Sequence, residues 1–448
     1  VSASGGGGRL SWGVGLLLLA LLPAGSWAAG GEPPAQRVVA VGDVHGSFDG
    51  LVSILTATGL VDGQRRWAGG GTLLVQIGDL LDRGVEVRPV LDLMMSLQEQ
   101  AEASGGRVVC LLGNHEAMNL LGIRRDVHPG SYAAFAGPDS EKRRKLAWGA
   151  LVHHYRARAR RLGQGVPKID DGVKARWMES NPPGAVEYVE ALGPDGVYGR
   201  WLRSLPAAVL IGDTLFIHAG LGPDLAGADL ETVNRTVADE IARLDRLRGF
   251  MLSEGLTFPE ASIADLERVA EEEAKAAADS ARMGRSAHER YAEALRPLLD
   301  WRRWLLASSS SPLWFRGAVY WDEEEHGAEM ASLLDGVGAR RMVVGHTVPK
   351  DRRIQTRFGG RVVLLDTGMQ ADYYKGGRVS ALEILDGALT AVYLDDREPV
   401  GASRSAAEPI DQRGPEPGRE DEVDGLGQVR DQGSGAPASA TRPHGGPP

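Results

Sequence analysis

The sequence predicts an α/β fold, and three observations carry that prediction. Residues 37–42, 72–78 and 107–113 are short apolar, β-branched runs, each ending in glycine followed by a polar cassette. Continuous apolar runs of this length bounded by glycine are the pattern of strands buried on both faces. Between the first two runs, Leu51, Ile54, Leu55 and Leu60 recur at helical spacing over residues 49–60. Residues 87–102 form a second helical pattern before the third run, so strand alternates with helix. Ligands of such sheets bind at the carboxyl ends of the strands, where all three cassettes lie.

The remaining elements follow in order. Residues 140–205 read as mainly helical, and the Arg-rich stretch 156–161 as a solvated helix face. Residues 207–211 and 215–219 read as a hairpin around the turn Gly212-Asp213, its second strand ending in His218. Residues 229–306 form a helical insertion. Leu230, Val233, Val237, Ile241 and Leu244 line one face of its first helix. Ser262-Ile263-Ala264-Asp265 opens the second with a capping-box pattern, and a third runs to Leu306. The insertion is expected to cap the sheet. Strands resume over 341–345, 361–365, 379–385 and 389–394. Residues 399–448 are rich in Gly and Pro, nearly free of aromatics, and read as a disordered tail. The catalytic domain is placed at 36–396, with no internal repeat.

Composition narrows the function. A net charge of −10 argues against a nucleic-acid partner. The single cysteine, Cys110, excludes an internal disulfide framework and sits in an apolar run as a small hydrophobe, not a nucleophile. Arg9 is the only charged side chain before Glu32, residues 12–22 are apolar, and Ser26-Trp27-Ala28 offers small residues for cleavage. Residues 1–28 therefore read as a cleaved signal peptide, giving a secreted or periplasmic enzyme with no membrane span after cleavage. The alternative is an organellar or membrane-anchored protein.

The cassettes are Gly42-Asp43-Val44-His45-Gly46, Gly78-Asp79-Leu80-Leu81-Asp82-Arg83-Gly84 and Gly113-Asn114-His115-Glu116, followed by His218 and Gly345-His346-Thr347. Asp43 and His45, two apart after a strand, can face one ion. Asp79 is the natural bridge, since a carboxylate has two oxygens to share. Asn114, His218 and His346 complete a second ion. This oxygen and imidazole set suits two divalent metal ions, manganese, iron or zinc. Such a pair generates a hydroxide and polarises phosphoryl oxygens. Arg83 supplies a planar fork for phosphate, and Arg316, in Leu313-Trp314-Phe315-Arg316-Gly317, supplies a second. His115 is placed to protonate a leaving group, with Asp82 expected to hold its tautomer and raise its pKa. Any one cassette is an ordinary turn sequence; their joint occurrence, in order and after strand-like runs, marks the site. His128, His153, His154, His288, His326 and His444 fit no slot.

These motifs resemble the phosphoprotein phosphatase branch of the calcineurin-like metallophosphoesterases, whose order is G-D-x-H-G, G-D-x-x-D-R-G, G-N-H-E and two single-His motifs. The resemblance covers about residues 36–395. It implies a β-sandwich of mixed sheets flanked by helices, with Asp43, His45 and Asp79 on one metal and Asp79, Asn114, His218 and His346 on the other. It likewise implies Asp82 and His115 as the acid pair and Arg83 and Arg316 as phosphate clamps. The chain departs from the eukaryotic Ser/Thr enzymes in three ways. Leu112 replaces the Arg before G-N-H-E, the C-terminal Ser-Ala-Pro-Asn-Tyr-Cys loop is missing, and the 229–306 insertion is extra. The contexts Ala117-Met118-Asn119-Leu120, Trp314-Phe315-Arg316-Gly317 and Asp366-Thr367-Gly368-Met369 are similar to the Shewanella-like phosphatases, some of which act on phosphotyrosine. The expected substrate is a phosphoprotein (Ser/Thr or Tyr). The alternative is a small phosphoester, as for a dinucleoside-polyphosphate hydrolase on the same scaffold.

Overall fold

The computed structural model describes residues 37–166, 168–280 and 287–400. The chain enters as β1 (Val38–Val41), α1 (Phe48–Ala57), β2 (Leu73–Gln76), α2 (Val87–Ala103), β3 (Arg107–Cys110) and α3 (Asn114–Leu120). Four helices follow: α4 (Ser140–Arg161), α5 (Asp171–Ser180), α6 (Ala185–Leu192) and α7 (Val197–Leu202). The hairpin β4 (Ala208–Ile211) and β5 (Thr214–Ile217) precedes the insertion helices α8 (Leu230–Ser253), α9 (Ile263–Ser280) and α10 (Ala287–Leu295). The chain closes with α11 (Gly317–Tyr320), α12 (Glu323–Gly336), β6 (Arg341–Val344), β7 (Gln355–Arg357), β8 (Val362–Leu364), β9 (Ser380–Leu385), β10 (Ala388–Tyr393) and β11 (Arg397–Pro399).

Two mixed sheets result. The first has the order β11-β10-β9-β1-β2-β3, with β1, β2 and β3 parallel and β9 antiparallel to β1. The second has the order β4-β5-β6-β8-β7, parallel through β5, β6 and β8 and antiparallel at both edges. Ala40, Val75, Phe216, Val343 and Val363 pack together between the sheets. Val39, Val41 and Leu74 point the other way, onto Leu51, Ile54, Leu91 and Met94 of α1 and α2. Successive strand residues thus face opposite layers, both apolar, which explains runs without alternation. Helix α12 covers the outer face of the second sheet through Met330 and Leu334. The arrangement is the two-sheet sandwich flanked by helices that the motifs imply.

The structure revises the sequence reading at four places. Strands β7 and β11 are extra; each is three residues long, polar and at a sheet edge, so no apolar run marks them. Because β11 includes Pro399, and Val400 N–H donates to Leu389 O, order extends two residues into the expected tail. The third insertion helix is broken: α10 ends at Leu295 and a 3-10 segment, Arg296–Arg303, takes over at Pro297, which has no N–H for an α-helical bond. Finally, the Arg-rich stretch is only partly solvated, because Arg158 pairs with Glu272 and Arg161 lies 2.7 Å from Glu273 on α9. The insertion therefore flanks α4 and the end of α3, where Ile263 N–H donates to Leu121 O (2.7 Å).

Residues 1–36 and 401–448, with the expected signal peptide and nearly all of the expected tail, lie outside the described residues. Among those described, no helix is long and apolar enough to cross a membrane.

Candidate metal centre

The site is assembled at one rim from the loops that follow β1, β2, β3, β5, β6 and β8. Glu116 locks two of these loops together. Its carboxylate accepts from the N–H groups of Asp79 (2.7 Å), Leu80 (2.9 Å), Leu81 (3.1 Å) and Gly113 (2.9 Å). The approach is close enough to require glycine: a Cβ on Gly78, whose φ is +88°, would lie 2.6 Å from the Gly113 backbone. His45, Asp79, Asp82, Arg83 and His346 all adopt positive φ despite carrying side chains. Such conformations cost on the order of 1–3 kcal/mol each and cluster where function fixes the backbone.

All six residues expected to hold metal come together, each no more than 7 % exposed. Nitrogen and carboxylate donors of His45, Asp79 and His115 form one group within 4.8 Å, and those of Asp79, His218 and His346 form a second. Asp79 belongs to both. Asp43 adjoins the first group, with Oδ2 3.7 Å from His45 Nε2. Asn114 adjoins the second, its Oδ1 lying 2.8 Å from His218 Nε2 and 2.9 Å from His346 Nδ1.

The donor chemistry fits divalent cations. His218 Nδ1 donates to Ile77 O (2.8 Å) and His45 Nδ1 donates to Leu81 O (2.8 Å), which fixes the tautomers and leaves each Nε2 as a lone pair. Burial holds the His218 pKa down to about 4 and that of His45 well below the usual range, so these rings are neutral. His218 Nε2, Asn114 Oδ1 and Asp79 Oδ2 (3.4 Å from His218) are then acceptors facing one another with no proton between them. His346 Nε2 and Asp366 Oδ2 are buried with no well-formed hydrogen bond among the described residues. Such a convergence is stable only around a positive charge. At His45 that charge is a guanidinium, since Arg83 Nη1 donates to Nε2 at 2.6 Å. The lone pair can serve Arg83 or an ion, not both. Burial, then Asp366 and Asp79, pushes the Asp43 carboxyl well up, and burial raises Asp79 to about 7. Bound cations reverse this, holding both as carboxylates.

The acid pair is also brought together. His115 Nδ1 meets Asp82 Oδ2 at 2.7 Å. Asn119 donates to Asp82 Oδ1 (2.9 Å) and accepts from the Tyr188 hydroxyl (2.7 Å), extending the chain into the interior. The expectation that Asp82 raises the His115 pKa is corrected. Burial first, and then the Arg83 charge, hold His115 well below its usual range, while burial pushes Asp82 well up. Desolvation of two fully buried partners outweighs their attraction and favours the uncharged form of each.

Arg83 reaches the rim, donating to the Tyr374 hydroxyl and lying over the rings of Tyr373 (4.8 Å) and Tyr374 (5.2 Å). Arg316 is exposed and donates to the Thr347 hydroxyl (3.0 Å), one residue beyond His346. Sequence reasoning assigned no role to Glu116, Asn119, Asp366 or Tyr374. Asp366 carried the signal that found the others, a polar residue directly after an apolar run, here 361–365. Glu116 stood inside the third cassette without a role of its own, and the contacts of Asn119 to Asp82 and of Tyr374 to Arg83 are tertiary and leave no such mark.

Residues 36–251 match the calcineurin-like phosphoesterase family. The chain is 29% identical to an uncharacterised protein of Schizosaccharomyces pombe over 80% of each chain. It is 31% identical to Shewanella-like protein phosphatase 2 of Arabidopsis thaliana over 45% of this chain, which spans about half (51%) of that relative. The cold-active protein-tyrosine phosphatase of a psychrophile Shewanella species has a similar structure, with a TM-score of 0.52, 25% identity and coverage of 82% of this chain and 80% of that one. The match over residues 36–251, which holds the first three cassettes and His218, identifies a calcineurin-like metallophosphoesterase domain, and the phosphatase relatives with that likeness of fold support a phosphoric monoester hydrolase.

Proposed function

We propose that the chain is a dinuclear-metal phosphatase acting on phosphoproteins. The single observation that carries this reading is Asp79, whose carboxylate belongs to both donor groups at the rim. Asp43, His45 and Asp79 would hold one ion, and Asp79, Asn114, His218 and His346 the other. When bound, the two ions supply Lewis acidity toward the phosphoryl oxygens and lower the pKa of a water.

The chain's own residues do the rest. Arg83 and Arg316 bind phosphoryl oxygens through planar forks and orient the ester for displacement at phosphorus. A water oxygen forms the new P–O bond and the ester P–O bond breaks. With Nδ1 held by Asp82, His115 delivers its Nε2 proton to the departing oxygen. The Asn119–Tyr188 chain holds Asp82 in position. The Arg83 guanidinium lies over two tyrosine rings, of which Tyr373 is 56% exposed. An aromatic wall beside a phosphate fork suits an aryl ester, and the names of the Arabidopsis and Shewanella relatives support a phosphoprotein substrate.

The test is the metal-reconstituted enzyme assayed on phosphotyrosyl and phosphoseryl peptides, a small phosphomonoester and dinucleoside tetraphosphate. Phosphotyrosyl peptide is expected to give the highest kcat/KM. Preferential cleavage of the dinucleotide would replace this reading with that of a small-molecule hydrolase.

A further inference from the structure

Behind the acid pair, on the side away from the ions, a cavity opens between the end of α3, α6 and α8. It is small, about 30 Å³, and part of it is open to solvent. Asn119 and Tyr188 form one wall, and Arg124, Arg248 and Glu260 bring charge to the others.

The charges are unbalanced. Arg248 is a poorly satisfied cation: its Nε is buried without a hydrogen-bond partner. Its two terminal nitrogens reach only the carbonyls of Leu120 and Ala261, each at 3.4 Å. Asp245, the carboxylate one helical turn before it, is committed to Arg203 through two bonds of 2.8 and 2.9 Å. Burial first, opposed by the attraction of Asp245 and helped by repulsion from Arg203 and Arg124, holds the Arg248 pKa down to about 10. Arg124 makes a 3.5 Å contact to the Asn181 side-chain oxygen. Among the described residues neither guanidinium is ion-paired, and Glu260 pairs with neither. Burial pushes the Glu260 carboxyl up, partly offset by the Arg124 charge, and the two guanidinium groups outnumber this one carboxyl in the lining. A desolvated guanidinium without a counter-ion costs several kcal/mol. Proteins retain such a group where a ligand completes it, and a planar fork fits two oxygens of one anion.

We infer that this cavity is a binding site for a compact oxyanion, a phosphate or a carboxylate, held by Arg248 and Arg124 and separate from the metal centre. The occupant lies against Asn119, the residue that donates to Asp82, but shares no ligand with the ions.

The test is isothermal titration of the metal-loaded enzyme with inorganic phosphate and, separately, with acetate, at constant ionic strength against chloride. Wild type is expected to bind one more anion per chain than Arg248→Met, which keeps the side-chain bulk and removes the charge. Arg124→Gln is expected to weaken the same site by about tenfold or more, the loss of one charge-assisted hydrogen bond. Loss of the phosphate site with no acetate binding identifies phosphate as the occupant; loss in both arms identifies any compact oxyanion. Equal stoichiometry in wild type and Arg248→Met, in both arms, overturns the inference. Should Arg248→Met fail to fold, Arg124→Gln decides: an unchanged isotherm in that variant overturns it equally.

Discussion

His115 stands at the end of a buried chain, Tyr188 to Asn119 to Asp82 to His115, in which each link is 2.7–2.9 Å long. If the imidazole acts as general acid, His115→Asn lowers kcat by about 10²–10⁴ while metal content stays near that of wild type. Metal analysis and turnover on one small phosphomonoester check this, and unchanged turnover removes the role. Asn119 acts one step further back, as a positioning residue. Asn119→Leu leaves Asp82 Oδ1 without its donor, so kcat is expected to fall by about tenfold with KM unchanged. A matched rise in KM instead would mean that Asn119 shapes the substrate surface. Asp43, His45, Asp79, Asn114, His218 and His346 were legible in the sequence because each follows a strand and belongs to a short pattern. Asn119 and Tyr188 were not, since their partners lie 37 and 69 residues away in sequence.

At the scale of elements, legibility followed burial. Strands β1, β2 and β3 are buried and announce themselves as apolar runs, whereas β7 and β11 are short polar edge strands held by backbone pairing and by ion pairs such as Arg357–Glu323 and Arg397–Glu383. The insertion was legible as helices through its apolar spacing, but its seat against α3 and α4 was not. That seat combines apolar packing, such as Phe258 against Tyr155, with ion pairs such as Arg158–Glu272 and the backbone bond from Ile263 to Leu121. One element contact makes a pH prediction away from the metals. Glu240 on α8 accepts from the N–H groups of Leu305 (3.0 Å) and Leu306 (3.1 Å), tying the start of the insertion to its end. Burial, partly offset by those two bonds, raises its pKa from 4.5 to about 7. The folded state therefore binds more protons than the unfolded state between those values, and this contribution to stability falls as pH rises through the window. Glu240→Gln cannot titrate, so the slope attributable to this group should vanish. Urea midpoints at about pH 5 and pH 7.5 measure it; an unchanged slope in the variant contradicts the assignment.

At the scale of the molecule, two sheets share one apolar layer and present their loops at a common rim, so the site depends on the sheets holding register. Phe216 is fully buried in that layer. Phe216→Ala is expected to cost about 3–5 kcal/mol, read as a lower urea midpoint. The sandwich itself was not derivable from strand patterns, which predict sheets but not how they stack; it entered through the resemblance of the cassettes. Because ions bind the folded rim and not the unfolded chain, chelation is expected to lower the melting temperature and abolish turnover together, with both restored by added metal. The most direct test of the central claim is metal stoichiometry with turnover in the reconstituted wild type and in Asp79→Asn. The account predicts two divalent ions per chain in wild type, and loss of metal and activity together in the variant. Full activity with a single ion in wild type, or both ions and full activity retained in Asp79→Asn, would contradict it.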